Sequence, residues 1–162
     1  MKKSQVRIIT LLLFSCWLSV ACKKSHSGFT PSLSFQTTND SSHTTVAVLF
    51  PNVTVAVQEV DTLHTTTIFG QYSDTSTLVG GISIHVIGDT TATYKANAIL
   101  ATYTDGLGNT YNSFGDSTDY VTITSFSKAD EGKVTGSFSL TVTGSAGTLL
   151  LTDGNFVAGF LD

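Results

Sequence analysis

The stretch KVTGSFSLTVT, residues 133–143, decides the fold because its side chains alternate between apolar and polar. One face carries Val134, Phe138, Leu140 and Val142. The other face carries threonine and serine, which is the pattern of a strand buried on one side only. Gly136 falls on the apolar face, and we expect a bulge or a close backbone approach there.

The same alternation recurs on both sides of this stretch and predicts further strands. They are Leu33–Thr38, Thr44–Phe50, Val53–Val57, Thr66–Tyr72, Ile82–Val86, Ala98–Thr104, Val121–Thr124 and Thr148–Leu151. Turn residues separate them at Asn39–Ser42, Asp105–Asn109, Ala129–Gly132 and Asp153-Gly154. No helical period appears, so the sequence predicts an all-β domain.

Short links between the strands favour antiparallel pairing. We therefore expect an antiparallel β-sandwich of about nine or ten strands, with a closed soluble β-barrel as the alternative. The sandwich is favoured because Pro51 and the pair Gly80-Gly81 are typical of places where a strand ends or changes sheet.

The first 22 residues, MKKSQVRIITLLLFSCWLSVAC, have the order of a secretory signal. Lys2, Lys3 and Arg7 form a basic leader, and the apolar part that follows is too short to span a membrane. The segment Leu18–Cys22 resembles the lipobox of bacterial lipoproteins, although Ser19 stands where leucine is usual. This resemblance implies cleavage between Ala21 and Cys22 and a lipid on the Cys22 sulfur; an ordinary signal peptide is the alternative.

This interpretation divides the chain into a signal peptide at residues 1–21, a lipidated cysteine and tether at 22–32, and a single all-β domain at 33–162. Cys16 and Cys22 are the only cysteines, so residues 23–162 hold no disulfide. Such an exported domain depends on its core alone. At 141 residues after cleavage (162 − 21), it has the length of one domain.

Charge excludes one class of partner. After removal of residues 1–21, five lysines and all twelve acidic residues remain, which gives a formal charge of 5 − 12 = −7. That part of the chain has no arginine, the residue that most often binds phosphate through two hydrogen bonds. An acidic domain of this kind repels polyanions, so we expect no nucleic-acid partner.

We find no catalytic motif, no metal-ligand spacing and no cofactor signature in the sequence. The four histidines, His26, His43, His64 and His85, have neither metal-ligand spacing nor a cysteine nearby. Asp116 and Asp119 could act as paired carboxylates, and with Asp105 and Asn109 they could bind calcium. Turn capping explains these acidic residues better. We therefore predict no enzyme activity, no metal and no cofactor.

Aromatic side chains gather in one part of the sequence and could bind a ligand. Phe114 belongs to this cluster, and Tyr94, Tyr103, Tyr111 and Tyr120 are the candidates for ligand-facing aromatics, because exposed rings can stack on sugars. Packing of these rings in the core or on a sheet face is the favoured interpretation.

The C-terminal part carries an ordered set of short motifs. They are Thr93-Tyr94, Ala-x-Tyr at 101–103, Gly-Asn-x-Tyr at 108–111, Val-Thr-Ile-Thr at 121–124, Gly-Lys-Val-x-Gly-x-Phe-Ser at 132–139 and Thr-Asp-Gly-x-Phe at 152–156. With the lipobox, this order resembles small β-rich lipoproteins of Bacteroidetes in domain families of unknown function. The resemblance implies an exported protein that is anchored to the cell envelope at the outer membrane. Lys23-Lys24 after the cysteine favour the periplasmic face.

Three functions stay open at this point. The first is a non-catalytic envelope lipoprotein that binds a protein or glycan partner or has a structural role. The second is a carbohydrate-binding module that uses the four tyrosines. The third is a hydrolase whose site is assembled from dispersed Asp, Ser and His residues.

Overall fold

The computed structural model describes residues 29–60, 63–72, 80–128 and 132–160. Eleven strands account for most of these residues. They are β1 Ser32–Asn39, β2 Thr45–Phe50, β3 Asn52–Val60, β4 Leu63–Gln71, β5 Gly81–Ile87, β6 Ala92–Lys95, β7 Ile99–Thr104, β8 Thr110–Ser113, β9 Tyr120–Phe126, β10 Lys133–Gly144 and β11 Gly147–Phe160. A single 3₁₀ turn, Ala96–Ala98, joins β6 to β7. The all-β prediction is confirmed.

Each of the nine predicted strands is present, and the two additional strands, β6 and β8, have four residues each. All eleven belong to one hydrogen-bonded sheet, in the order β2-β1-β11-β3-β4-β5-β7-β8-β10-β9-β6. A further pairing between β10 and β11 closes a ring of hydrogen bonds through β11, β3, β4, β5, β7, β8 and β10.

Opposite parts of this sheet face each other across one apolar core. The ring of Phe35 on β1 lies 5.5 Å from that of Tyr103 on β7 and 5.7 Å from that of Phe138 on β10. β1 and β7 are far apart in the strand order, so this contact crosses the interior. Burial of each large apolar side chain contributes about 1.5–3 kcal/mol.

One strand pairing is parallel, which corrects the prediction of a purely antiparallel sheet. β3 pairs with the end of β11 through Thr54 and Gly159 and through Val55 and Phe160, whereas every other strand pairing among the described residues is antiparallel. Pro51 lies between β2 and β3 and has no N–H to donate. The chain leaves β1 at this residue and continues in the same direction beside β11. A strand therefore ends at Pro51, as expected, but the next strand joins the same sheet.

β11 contains a bulge where the sequence predicted a turn. The register of β11 shifts against both β1 and β10 between Leu151 and Asn155, and Asp153 has a φ of 53°. The pair Asp153-Gly154 therefore bends a continuous strand and does not end it. The turn prediction was wrong here because a bulge uses the same residue types as a hairpin turn.

A bulge and a close backbone approach, the two features expected at Gly136, both occur there. The register of β10 against β9 shifts between Thr135 and Gly136. A Cβ built on Gly136 would lie 2.1 Å from the backbone oxygen of Thr122 and 2.5 Å from Cζ of Phe156. The neighbouring strand and a core ring therefore occupy the space that any larger residue would need.

Several sequence predictions concern residues that are not described. The signal peptide at 1–21, the cleavage site at Ala21 and Cys22, and the tether up to residue 28 are among them. Residues 129–131 of the predicted turn also lie outside the described ranges. Within those ranges, no helix is long and apolar enough to cross a bilayer.

The packing around Gly136 makes a testable prediction. Gly136→Ala should lower the free energy of unfolding by about 3 kcal/mol, since the new methyl group meets backbone that cannot easily move. Urea denaturation followed by circular dichroism measures this change. Ser137→Ala on the opposite face is the control, with an expected loss under about 1 kcal/mol. An equally stable Gly136→Ala protein would contradict the assigned close contact.

Candidate binding cleft

The candidate site lies where β10 changes from one paired strand to another along one of its edges. β9 pairs with β10 up to Tyr120 and Ser139, and β8 takes over at Ser113 and Val142. Between these pairings, the backbone N–H of Thr141 has no strand residue opposite it. Such a buried N–H requires another acceptor.

Two polar side chains replace the missing strand partners at this junction. Oδ1 of Asp119 accepts a hydrogen bond from the N–H of Thr141 at 2.7 Å. Oγ of Ser113 accepts one from the N–H of Ala101 at 2.8 Å. Asp119 is 1% exposed, and within the described residues its Oδ2 has no hydrogen-bond partner. Burial raises the pKa of this carboxyl, even though the hydrogen bond from Thr141 lowers it.

A cleft of about 580 Å³ opens beside this junction. It lies between the 3₁₀ turn and the loop after β8, and it is lined by Lys95, Ala96, Asn97, Ile99, Leu100, Ser113, Phe114, Gly115 and Ser117. Gly115 has a φ of 75°, and its Cβ position would be 3.3 Å from the backbone oxygen of Ala96. The tight, left-handed backbone at Gly115 thus brings the loop against the 3₁₀ turn.

The walls of the cleft are mainly apolar and open to solvent. Phe114 is 81% exposed and Leu100 is 65% exposed, although both are large hydrophobic residues. Lys95 is the cation among the lining residues, and its Nζ lies 5.3 Å from the ring centre of Tyr120. Exposed apolar side chains beside polar ones are characteristic of binding sites.

Two of the four tyrosines considered as ligand-facing residues lie in the core. Tyr103 and Tyr111 are each 4% exposed, and their rings stack with centres 6.0 Å apart. Burial raises the pKa of Tyr103, and the hydroxyl of Tyr111 donates to Oδ2 of Asp105. Their strands turn these rings inward, together with Ile99 and Ala101, so a ligand cannot stack on them.

The other two tyrosines lie on opposite sides of the sheet. Tyr94 faces the core side of β6, and its hydroxyl donates to the backbone oxygen of Thr90 at 2.9 Å. Tyr120 faces outward below Lys95, next to the cleft. The four rings therefore do not form one platform, and Tyr120 alone lies close to the cleft.

The carboxylates considered for hydrolysis or calcium binding serve as caps. Oδ1 of Asp116 accepts from the N–H and the hydroxyl of Thr118, and these bonds lower the pKa of Asp116. Asp105 accepts from the N–H groups of Leu107 and Asn109. Partial burial raises the pKa of Asp105, but these hydrogen bonds outweigh it and leave the pKa lowered. Their oxygens thus hold turns together, as turn capping predicts.

A separate charged cluster joins three segments at another part of the domain. Oδ2 of Asp89 lies 2.9 Å from Nδ1 of His64 and 2.6 Å from Nζ of Lys128. The hydrogen bond from Lys128 lowers the pKa of Asp89, and the nearby His64 acts in the same direction. Because one carboxylate oxygen contacts both the His64 ring and the Lys128 ammonium, this arrangement ties β4, the loop after β5 and the segment after β9 together.

No protein-family model, no curated protein and no solved structure matches the chain. The site is therefore assigned from its own residues. Sequence reasoning grouped Phe114 with the possible ligand-binding aromatics but did not predict the cleft. It also overlooked Leu100, which shares the outward face of β7 with Thr102. The local sequence around each residue does not show whether its hydrophobic side chain is exposed or buried.

The buried Asp119 predicts a pH dependence. Its pKa is higher in the folded than in the unfolded chain, so ionisation costs stability as the pH rises above about 4. Asp119→Asn removes this cost and keeps an oxygen for Thr141. Its stability relative to the wild type should therefore increase from about pH 4 toward pH 7, as measured by urea denaturation across that range.

Asp116→Asn is the matched control because the pKa of Asp116 is lowered. Its stability relative to the wild type should change with pH in the opposite direction. Asp119→Ala also removes the acceptor for Thr141 and should cost about 1–3 kcal/mol. Identical pH profiles for Asp119→Asn and the wild type would show that Asp119 is not buried as described.

Proposed function

We propose that this chain is a non-catalytic lipoprotein of the cell envelope, held at the membrane by a lipid on Cys22, whose β domain binds a partner protein through the cleft. The anchor and the cleft are supported by different observations. The proposed binding role rests on the exposed, mainly apolar cleft around Phe114. The proposed anchor rests on residues 1–22, where a basic leader and an apolar part are followed by the lipobox-like segment that ends at Cys22.

The start of the domain agrees with a short tether. Phe29 is the first described residue, its ring lies 5.6 Å from Nζ of Lys133, and a Cβ on Gly159 would be 3.2 Å from it. Phe29 follows Cys22 by seven residues (29 − 22), a distance of about 25 Å at full extension. A domain anchored in this way stays close to the bilayer surface.

The chemistry of the cleft favours a protein partner over a glycan. Leu100 and Phe114 project into solvent, as anchor residues do in protein interfaces. A sugar platform would use flat rings with several hydrogen-bonding groups around them, and two of the four tyrosines considered for that role are buried. Lys95 adds one positive charge to an otherwise acidic domain and suits an acidic group on the partner.

The contacts of the acidic residues support a non-catalytic role. Asp105, Asp116 and Asp119 each cap backbone N–H groups, which gives them structural tasks. The His64 and Asp89 pair includes Lys128 on the same carboxylate oxygen, which suits an ion cluster better than a general base.

The anchor is tested by Cys22→Ala. This variant should lose fatty-acid labelling and appear in the soluble fraction, because the thiol that carries the lipid is absent. Metabolic labelling with a palmitate analogue, followed by membrane fractionation, measures both changes. Cys16→Ala is the matched control and should remain labelled and membrane-bound. A labelled Cys22→Ala protein would contradict the assignment of the anchor.

The cleft is tested by pull-down from detergent-solubilised envelopes with the tagged full chain. Phe114→Ala should weaken capture of the partner about 30-fold, as truncation of a central interface residue costs about 2 kcal/mol. Leu107→Ala is the control, since Leu107 is 89% exposed but lies on the β7–β8 loop. Equal capture by both variants would place the binding surface elsewhere.

A further inference from the structure

The sheet has two edge strands in the described part of the chain, β2 and β6. An edge strand presents unpaired N–H and C=O groups that can pair with another strand. Proteins protect such edges with short strands, charged residues or proline. The two edges of this sheet differ in this respect.

β6 is protected and β2 is not. β6 has four residues and ends in Lys95, whereas β2 has six residues, Thr45–Phe50, without charge or proline. Pro51 follows the last residue of β2 and limits the length of any added pairing. β2 is therefore an open edge of defined length.

Both faces of β2 carry exposed apolar side chains near this edge. Val46 is 54% exposed and Leu49 is 60% exposed. Because they are three residues apart, they project from opposite faces of the strand. Val46 shares its face with the buried Val48 and Phe50, so the apolar inner face continues uncovered to the edge.

The charge distribution indicates which occupant fits this edge. Residues 41–58 contain no aspartate, glutamate, lysine or arginine, although the whole chain has twelve acidic and eight basic residues. Copies of an acidic chain repel each other over most of their surface. β2 itself lies within an uncharged stretch, so a second copy can approach this edge without facing like charges on the strand.

We propose that β2 pairs antiparallel with β2 of a second copy across a two-fold axis and so extends the sheet from one copy into the other. A two-fold interface uses the same patch on both copies, and a single edge strand meets this condition. Strands that add to a sheet edge are held by backbone hydrogen bonds and by contacts between side chains on each face.

The alternation of side chains restricts the register. Residues directly opposite each other in an antiparallel pair share a face, so the two-fold axis passes beside a residue and not between two residues. Ala47 and Val48 are the middle residues of β2, and the axis passes beside one of them. In the first register Val46 meets Val48 of the partner subunit, and in the second it meets Phe50 of the partner subunit. Both registers cover Val46 and Leu49, the exposed apolar residues of this edge.

Sedimentation of the detergent-solubilised full chain tests the pairing. A six-residue strand pair is a small interface, so we expect a weak dimer that forms as the concentration rises from about 1 to 200 µM. Leu49→Lys should weaken dimerisation at least tenfold, because each copy then places a charged side chain in the apolar contact that Leu49 makes at this edge. Leu107→Lys, an equally drastic change on a loop, should leave dimerisation unchanged.

Disulfide trapping tests the register. Ala47→Cys should form a linked dimer on oxidation if the axis passes Ala47, because paired Cα atoms lie about 4.5–5.5 Å apart. A mixture of Ala47→Cys and Leu49→Cys chains should form the mixed dimer if the axis passes Val48. Ala92→Cys on the β6 edge is the control and should remain unlinked. Peptide mapping identifies the linked positions.

Three results would overturn the proposal. One is a wild-type chain that stays monomeric over the whole concentration range. Another is a dimer that Leu49→Lys does not weaken. The third is trapping of the Ala47→Cys chain to a different envelope protein in place of a second copy, which would make β2 a docking strand for that protein.

Discussion

The bulge at Thr152–Asp153 in β11 is the constraint on which the rest of the sheet depends. β11 pairs with β10 along one side and with β1, then β3, along the other, and both long pairings shift register at this bulge. Asp153 adopts a positive φ, and Gly154 leaves room for the ring of Phe138, which would lie 2.7 Å from any Cβ there. A bulge bends a strand and increases its twist. This bend lets one long strand serve three neighbours around the core.

Closure of the ring creates the cleft. β10 must pair with β11 on one side, so β8 and β9 share its other side in succession. The strands diverge where β8 ends and β9 begins, and side chains of Asp119 and Ser113 supply the acceptors that a continuous strand would have supplied. The loop between them carries Phe114 outward. The candidate binding site is thus a direct consequence of how the sheet closes.

Much of the fold could be predicted from local alternation, and the rest depends on contacts distant in sequence. The nine predicted strands are present because period-two patterning is a local property. β6 and β8 are too short to show a period, and the parallel pairing of β3 depends on the overhang of β11 beyond the start of β1. Tyr103 was a candidate for a ligand surface, and Thr102 and Thr104 mark the opposite face of β7 as the outward one. The cleft was not predictable, since it needs the spatial approach of the 3₁₀ turn to the loop after β8.

Closure of the sheet matters for the stability of the domain because the chain has no cysteine after Cys22. A small domain without disulfides lacks a covalent restraint on its unfolded state and must gain its stability from burial and strand pairing. A ring of seven strands provides both, since each member has neighbours on two sides.

The strands outside the ring are β1, β2, β6 and β9, and among the described residues the free edges fall on β2 and β6. Lys95 protects β6 and also lines the cleft, whereas the uncharged β2 remains available for pairing. The surfaces open to a partner are therefore those that closure of the sheet leaves unpaired.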